Sequence, residues 1–180
     1  NRDKKKDDWL RLATLVRDIA RMPGEFRIRL SSIEATEVTR ELLAVMSEYP
    51  ERVAPHLHIC LQSGSDAVLR RMRRRWSSRL FVDRCRLVRD TLDNPAITTD
   101  IIVGFPGETV DDFNETRAVM SRTGYDSAFL FKYSPRPGAR SAAWEDDVPE
   151  AEKARRITLL IADQKRISLE RNEALIGQDL

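Results

Sequence analysis

Cysteine and histidine are both scarce in this chain. Cys60 and Cys85 are the two cysteines among 180 residues, and His56 and His58 the two histidines. The separation of the cysteines fits no zinc or redox motif, which excludes a thiolate cluster built within the chain. They read as ordinary thiols of a reducing compartment. No apolar run approaches the length of a bilayer span. Asn1 to Asp8 is polar and no apolar segment of the signal-peptide type follows, so a cytoplasmic protein is expected. Charge of one sign is also lacking: 31 Lys and Arg face 29 Asp and Glu, a net charge of +2. Basic chemistry must therefore be local. Neither G-x-G-x-x-G nor G-x-x-x-x-G-K-[ST] occurs, so a dinucleotide site and a P-loop are not supported. The start at Asn1 and the abrupt end at Gly177-Gln178-Asp179-Leu180 lead us to expect a piece of a longer protein.

What is present is a regular alternation of apolar patterns. Trp9, Leu10, Leu12, Ala13, Val16, Ile19 and Ala20 recur at helical spacing, and Pro23-Gly24 closes that helix. Phe26–Leu30 alternates like a short strand. Thr36 is a candidate cap for a helix carrying Val38, Leu42, Leu43, Val45 and Met46. Leu57–Leu61 reads as a second strand, followed by the turn Gln62-Ser63-Gly64-Ser65 and a helix from Asp66. Another helix covers about Leu80 to Leu92. Ile97–Val103 is β-branched, as expected of a strand buried on both faces. Gly104-Phe105-Pro106-Gly107 turns into a helix that Gly124 ends. Ala128–Tyr133 reads as a fourth strand, and Pro149 to Ile176 as one long amphipathic helix or a broken pair. Four strand–helix repeats of roughly 30 to 40 residues imply parallel βαβ units. A TIM-like barrel and an open doubly wound sheet both fit.

Parallel α/β sheets bind ligands at the carboxyl ends of their strands. Here that rule selects Ser31-Ser32, Gln62 to Ser65, Gly104 to Glu108, and Tyr133 to Arg136. Hydroxyls, amides and glycines there suit ribose and carboxylate groups and close backbone approach. Each alone is an ordinary turn; four on one rim favour a ligand site. Acid–base groups are few. His56 and His58 can share one face of a strand, but no further metal ligands are evident, and no metal site is expected. Asp100, inside an apolar strand, is unusual, since buried carboxylates are rare unless paired. No catalytic set of the Ser-His-Asp or Cys-His kind stands out. Arg70-Arg71-Met72-Arg73-Arg74-Arg75-Trp76, with Arg79, Arg84, Arg86 and Arg89, offers either a phosphate-binding patch with a stacking ring or a solvated face paired with Asp83, Asp90 and Asp93.

Four of these segments together resemble the radical S-adenosylmethionine (SAM) tRNA methylthiotransferases. They are Arg27-Ile28-Arg29-Leu30-Ser31-Ser32-Ile33-Glu34, His56-Leu57-His58-Ile59-Cys60-Leu61-Gln62-Ser63-Gly64-Ser65-Asp66, the stretch from Thr98 to Thr109, and Tyr133-Ser134-Pro135-Arg136-Pro137-Gly138. Order and spacing match over about residues 25 to 176. The Arg29-Leu30-Ser31-Ser32-Ile33-Glu34 version is most similar to the branch acting on threonylcarbamoyladenosine beside the anticodon, and less similar to the branches acting on isopentenyladenosine and on a ribosomal protein. The resemblance implies an α/β partial TIM-like barrel of which this chain holds about four parallel strands. It divides the chain into the barrel's later part (1–148), a helical segment (149–176) and a linker start (177–180) leading to a C-terminal β domain.

The resemblance also implies SAM and 4Fe-4S clusters as cofactors, with tRNA and a sulfur-donor system as partners. The cluster cysteines themselves would lie outside this chain, so the chain alone is expected to be inactive. Cys60 stands where the family often has proline. The SAM-facing groups it implies are Ser32, Gln62, Ser63, Arg74, Gly104 and Phe105. The basic-patch reading makes Arg71, Arg73, Arg75 and Trp76 candidate contacts to substrate or RNA, and the resemblance adds Tyr133 and Arg136 on the rim near substrate. Three other readings stand beside it: an RNA-binding piece without chemistry, an unrelated TIM-like enzyme for which Lys132 is the available strand lysine, and another radical SAM enzyme of the porphyrin or biotin type.

Overall fold

The computed structural model describes residues 11–177. Six α-helices and three strands alternate through them: α1 (Leu12–Ala20), α2 (Arg40–Glu48), β1 (His56–His58), α3 (Asp66–Arg71), α4 (Ser78–Thr91), β2 (Ala96–Val103), α5 (Val110–Thr123), β3 (Ser127–Lys132) and α6 (Glu150–Ala174). Short 3-10 turns cover Ala35–Glu37 and Arg140–Ala143. The strands are parallel and ordered β1-β2-β3, with Leu57 opposite Ile97 and Asp100 opposite Phe129. The alternation read from the sequence is thus an α/β fold with a parallel sheet.

Phe26–Leu30, expected as a strand, makes one isolated parallel bridge, Ile28 to Val53, and Ile33 just beyond it makes another, to Ile59. The register slips by one residue between them, and Pro55 has no N–H to donate to a ladder there. The sheet therefore has three strands rather than four. The cap of α2 is Thr39, whose hydroxyl accepts from the Leu42 N–H, and Thr36 lies in the preceding 3-10 turn. Trp9 and Leu10 lie outside the described residues. Pro149 to Ile176 resolves into one helix of 25 residues, α6, about 37 Å long. Among the described residues no helix is long and apolar enough to cross a membrane.

The helices lie against one face of the sheet. Ile97, Thr99, Ile101 and Val103 alternate along β2 as fully buried residues, packed with Phe81, Phe113, Met120, Tyr125 and Leu160 from the helical layer. The alternate positions, Thr98, Asp100 and Ile102, are only half-buried. Across from them Phe129 and Phe131 are about half exposed, at 54% and 50%. The expectation that β2 is buried on both faces is therefore corrected: among the described residues no helix covers its second face. The polar Thr98 and Asp100 on that face are the sequence trace of it.

The candidate site is a cavity at the strand ends

The three strands end on one rim, and the loops leaving them enclose a cavity of about 800 Å³. Gln62 comes from the β1–α3 loop, Phe105 from the β2–α5 loop, and Tyr133, Arg136, Arg140 and Trp144 from the segment after β3. Asp100 and Ile102 of β2 also line it. Gln62 sits at φ 71°, and its backbone still bridges to β2, accepting from Ile102 N at 2.9 Å and donating to Asp100 O at 2.8 Å. That kink turns the chain out of the sheet at the rim.

One wall is aromatic. Phe105 meets Tyr133 edge-on at 5.1 Å between ring centroids and Trp144 at 5.8 Å, geometry that suits the ring quadrupoles. Another part of the lining is basic. α3 ends at Arg71, and Arg73, at φ 57°, turns the chain so that Arg71, Arg73 and Arg74 all line the cavity. Arg71 donates to the Gly107 carbonyl and, at 3.4 Å, to that of Pro106. Arg74 lies over the Trp76 ring at 5.3 Å, and its buried Nε has no hydrogen-bond partner. Such a donor is costly to leave unmade, so it marks a place for an acceptor.

The loop after β2 is held from behind. The Glu108 carboxylate, with a fully buried side chain, accepts from Gly104 N at 2.6 Å and from Arg156 of α6 at 2.6 Å. Burial pushes the Glu108 carboxyl up, and the Gly104 and Arg156 hydrogen bonds oppose that. Lys153 of α6 reaches Asp146 at 2.5 Å and lies 5.5 Å over the Tyr133 ring. At Gly104, φ +71°, an added Cβ would come within 2.4 Å of Lys153 Cγ. Glycine is required there for both reasons.

Of the residues singled out from the sequence, Gln62, Arg71, Arg73, Arg74, Phe105, Tyr133 and Arg136 converge on the cavity. The rest lie elsewhere. Gly104 is behind Phe105, against Lys153. Ser32 is exposed and does not line the cavity. Ser63 is fully buried, 3.4 Å from Thr116 Oγ1 of α5. Arg75 points out to Glu34 at 2.9 Å. Trp76 is 5% exposed and packs in the core, so its ring presents no free face for a base. Trp144, Arg140, Lys153 and Arg156 were not foreseen. Trp144 lies beyond the proline-rich loop, where no periodicity assigns it a side, and the other three come from segments that show no motif.

The sequence that builds this cavity has relatives among known proteins. A profile of the Radical SAM superfamily matches residues 3–120, and the chain belongs to that superfamily. It is also similar to tRNA-2-methylthio-N(6)-dimethylallyladenosine synthases. Identity is 45% to that of Mycobacterium marinum, over 92% of this chain and 31% of the relative. It is likewise 45% to that of Acidothermus cellulolyticus, over 92% and 33%. A threonylcarbamoyladenosine tRNA methylthiotransferase of Thermotoga maritima is 39% identical over 97% of this chain and 40% of its own length. The chain spans about a third of the length of the first relatives.

Cys85 lies on the buried face of α4, with its thiol pushed up to about 12 by burial, and Cys60 lies just beyond β1. These two thiols do not fit an iron–sulfur cluster. SAM does fit. The unpartnered Arg74 Nε offers a donor to its carboxylate, and the Phe105 wall an apolar surface to its adenine.

Proposed function

We propose that this chain is the SAM-binding, tRNA-facing part of a tRNA methylthiotransferase that acts on dimethylallyladenosine. The observation that carries the proposal is the 45% identity to the dimethylallyladenosine synthase of Mycobacterium marinum across 92% of the chain. The cavity supports it chemically. Arg74, and Arg73 beside it, would bind the SAM carboxylate, and Phe105, backed by Trp144, would seat the adenine and keep water from it. When bound, SAM supplies the methyl group and the radical chemistry of the superfamily. Arg71 is held on the loop after β2 and Arg136 stands at the rim, placed to meet phosphate oxygens of the RNA. The helix α6 would lead on to a further RNA-holding domain, and the protein would act in the cytoplasm with a sulfur-donor system.

The Leu30-Ser31-Ser32-Ile33-Glu34 segment favours threonylcarbamoyladenosine instead, and the Thermotoga maritima relative carries that reading. The higher identity of the dimethylallyladenosine relatives weighs against it. The test is to delete the gene and analyse the nucleosides of digested tRNA by mass spectrometry. Loss of the methylthio form of dimethylallyladenosine, with its unmethylthiolated precursor accumulating, is expected. Loss of the threonylcarbamoyl counterpart instead would transfer the assignment to the second reading. An unchanged profile would overturn both.

A further inference from the structure

The uncovered face of the sheet carries a group of side chains, one of them at the cavity's edge, to which the SAM reading gives no role. His58 of β1 and Cys60 just beyond it are two residues apart and point to the same face. Asp100 on the adjacent strand points there too. Their ligand atoms all lie within 4.8 Å of one another, the one such group of three found among the described residues. We propose that His58, Cys60 and Asp100 bind a thiophilic divalent cation of the zinc class, with its open coordination position facing the cavity.

The distances carry this. Bond lengths at zinc place tetrahedral ligands about 3.3 Å apart for an N–O pair and about 3.6 Å for an S–O pair. His58 Nε2 is 3.1 Å from Asp100 Oδ2, and Cys60 Sγ is 3.7 Å from the same oxygen. The imidazole is also oriented as a ligand. Its Nδ1 lies 2.9 Å from Thr98 Oγ1, and with Nδ1–H donating there, Nε2 turns its lone pair toward Asp100. Two such acceptors at 3.1 Å repel unless a proton or a cation lies between them. The Thr98 hydroxyl can pass its own proton on to His56 Nε2, 3.1 Å away. Outer partners of this kind commonly fix the tautomer of a metal-bound histidine.

Charge and burial agree. One thiolate and one carboxylate neutralise a divalent ion, and no Lys or Arg among the described residues forms an ion pair with Asp100. His58 is 9% exposed, while Asp100 lines the cavity. Three protein ligands with a fourth position open to a cavity is the pattern of zinc sites that meet a small molecule. A lone cysteine with a histidine and a carboxylate is not a cysteine cluster motif.

Cobalt(II) reports such a site directly. The metal-free full chain is titrated with cobalt chloride, followed by zinc as competitor. The expected result is one cobalt per chain, the visible bands of tetrahedral cobalt, and a near-ultraviolet thiolate-to-cobalt charge-transfer band that zinc abolishes. Cys60→Ser should remove the charge-transfer band, and Asp100→Asn should weaken binding by at least about 10-fold. Thr98→Val, which removes only the orienting partner, should weaken it by about 10-fold. Cys85→Ser should change nothing. Circular dichroism checks that each variant is folded. No cobalt binding by the folded parent chain would overturn the proposal and leave a histidine–carboxylate hydrogen bond in its place. A charge-transfer band that survives in Cys60→Ser would overturn it equally.

Discussion

Replacing Arg156 by methionine tests whether the loop at the cavity is held by a buried charge pair. Glu108 and Arg156 have side chains 0% and 4% exposed, joined at 2.6 Å. Glu108 also accepts from the Gly104 N–H at 2.6 Å, and its Oε1 has no partner. Removing the guanidinium leaves a buried carboxylate with one backbone donor, which costs about 3–5 kcal/mol at pH 7. With a urea dependence of about 2 kcal/mol per molar, the unfolding midpoint should fall by about 2 M. Burial already pushes Glu108 above its ordinary 4.5, and Arg156 is among the groups that hold it back. A carboxyl raised in the folded state favours folding below its unfolded value, and that contribution is lost as pH rises through the folded value. In Arg156→Met the folded value rises further, so the variant's deficit should shrink as pH is lowered from 7 toward 5. Glu108→Gln combined with Arg156→Met should recover about 2 kcal/mol of the loss, because the pair is then uncharged. Urea titrations at the two pH values decide it. A loss below about 1 kcal/mol, or one independent of pH, would mean that water reaches the carboxylate and would refute the reasoning.

Gly64→Ala should destabilise by about 1–3 kcal/mol in thermal or urea melts. Its Cβ would lie 2.5 Å from Thr116 Cα and 2.8 Å from Glu115 O, backbone atoms of α5 that cannot turn aside. Thr109→Ala removes the capping box of α5, in which Thr109 and Asp112 exchange hydrogen bonds, and should cost about 1 kcal/mol. Burial pushes the Asp112 carboxyl up, but hydrogen bonds from Ser65 and Thr109 outweigh it and hold the group below its ordinary 3.8. That contribution is present above the ordinary value and is lost as pH falls through the folded one. The difference between Thr109→Ala and the parent, followed by melts across acid pH, should therefore fade on acidification.

Much of this protein was set by local pattern. The alternation of Leu57–Leu61, Ile97–Val103 and Ala128–Tyr133 with helical stripes dictates a parallel sheet, because side-chain period and turn chemistry act over a few residues. The four motifs and the carboxyl-end rule located the cavity, which gathers Gln62, Arg71, Arg74, Phe105, Tyr133 and Arg136. Other features depend on partners far away in the chain. Phe26–Leu30 has a strand's composition, yet whether it forms a strand depends on its register with Val53 and Ile59, which the slip at Pro55 breaks. Trp76 reads as a stacking ring in its arginine run, but burial in the core decides its role. His58 and Cys60 lack visible metal ligands until β2 lies beside β1 and brings in Asp100, 40 residues away along the chain. Sequence carries the periods and the motifs. Which side chains meet across strands is decided only when packing closes those distances, since a contact between remote residues has no local signature.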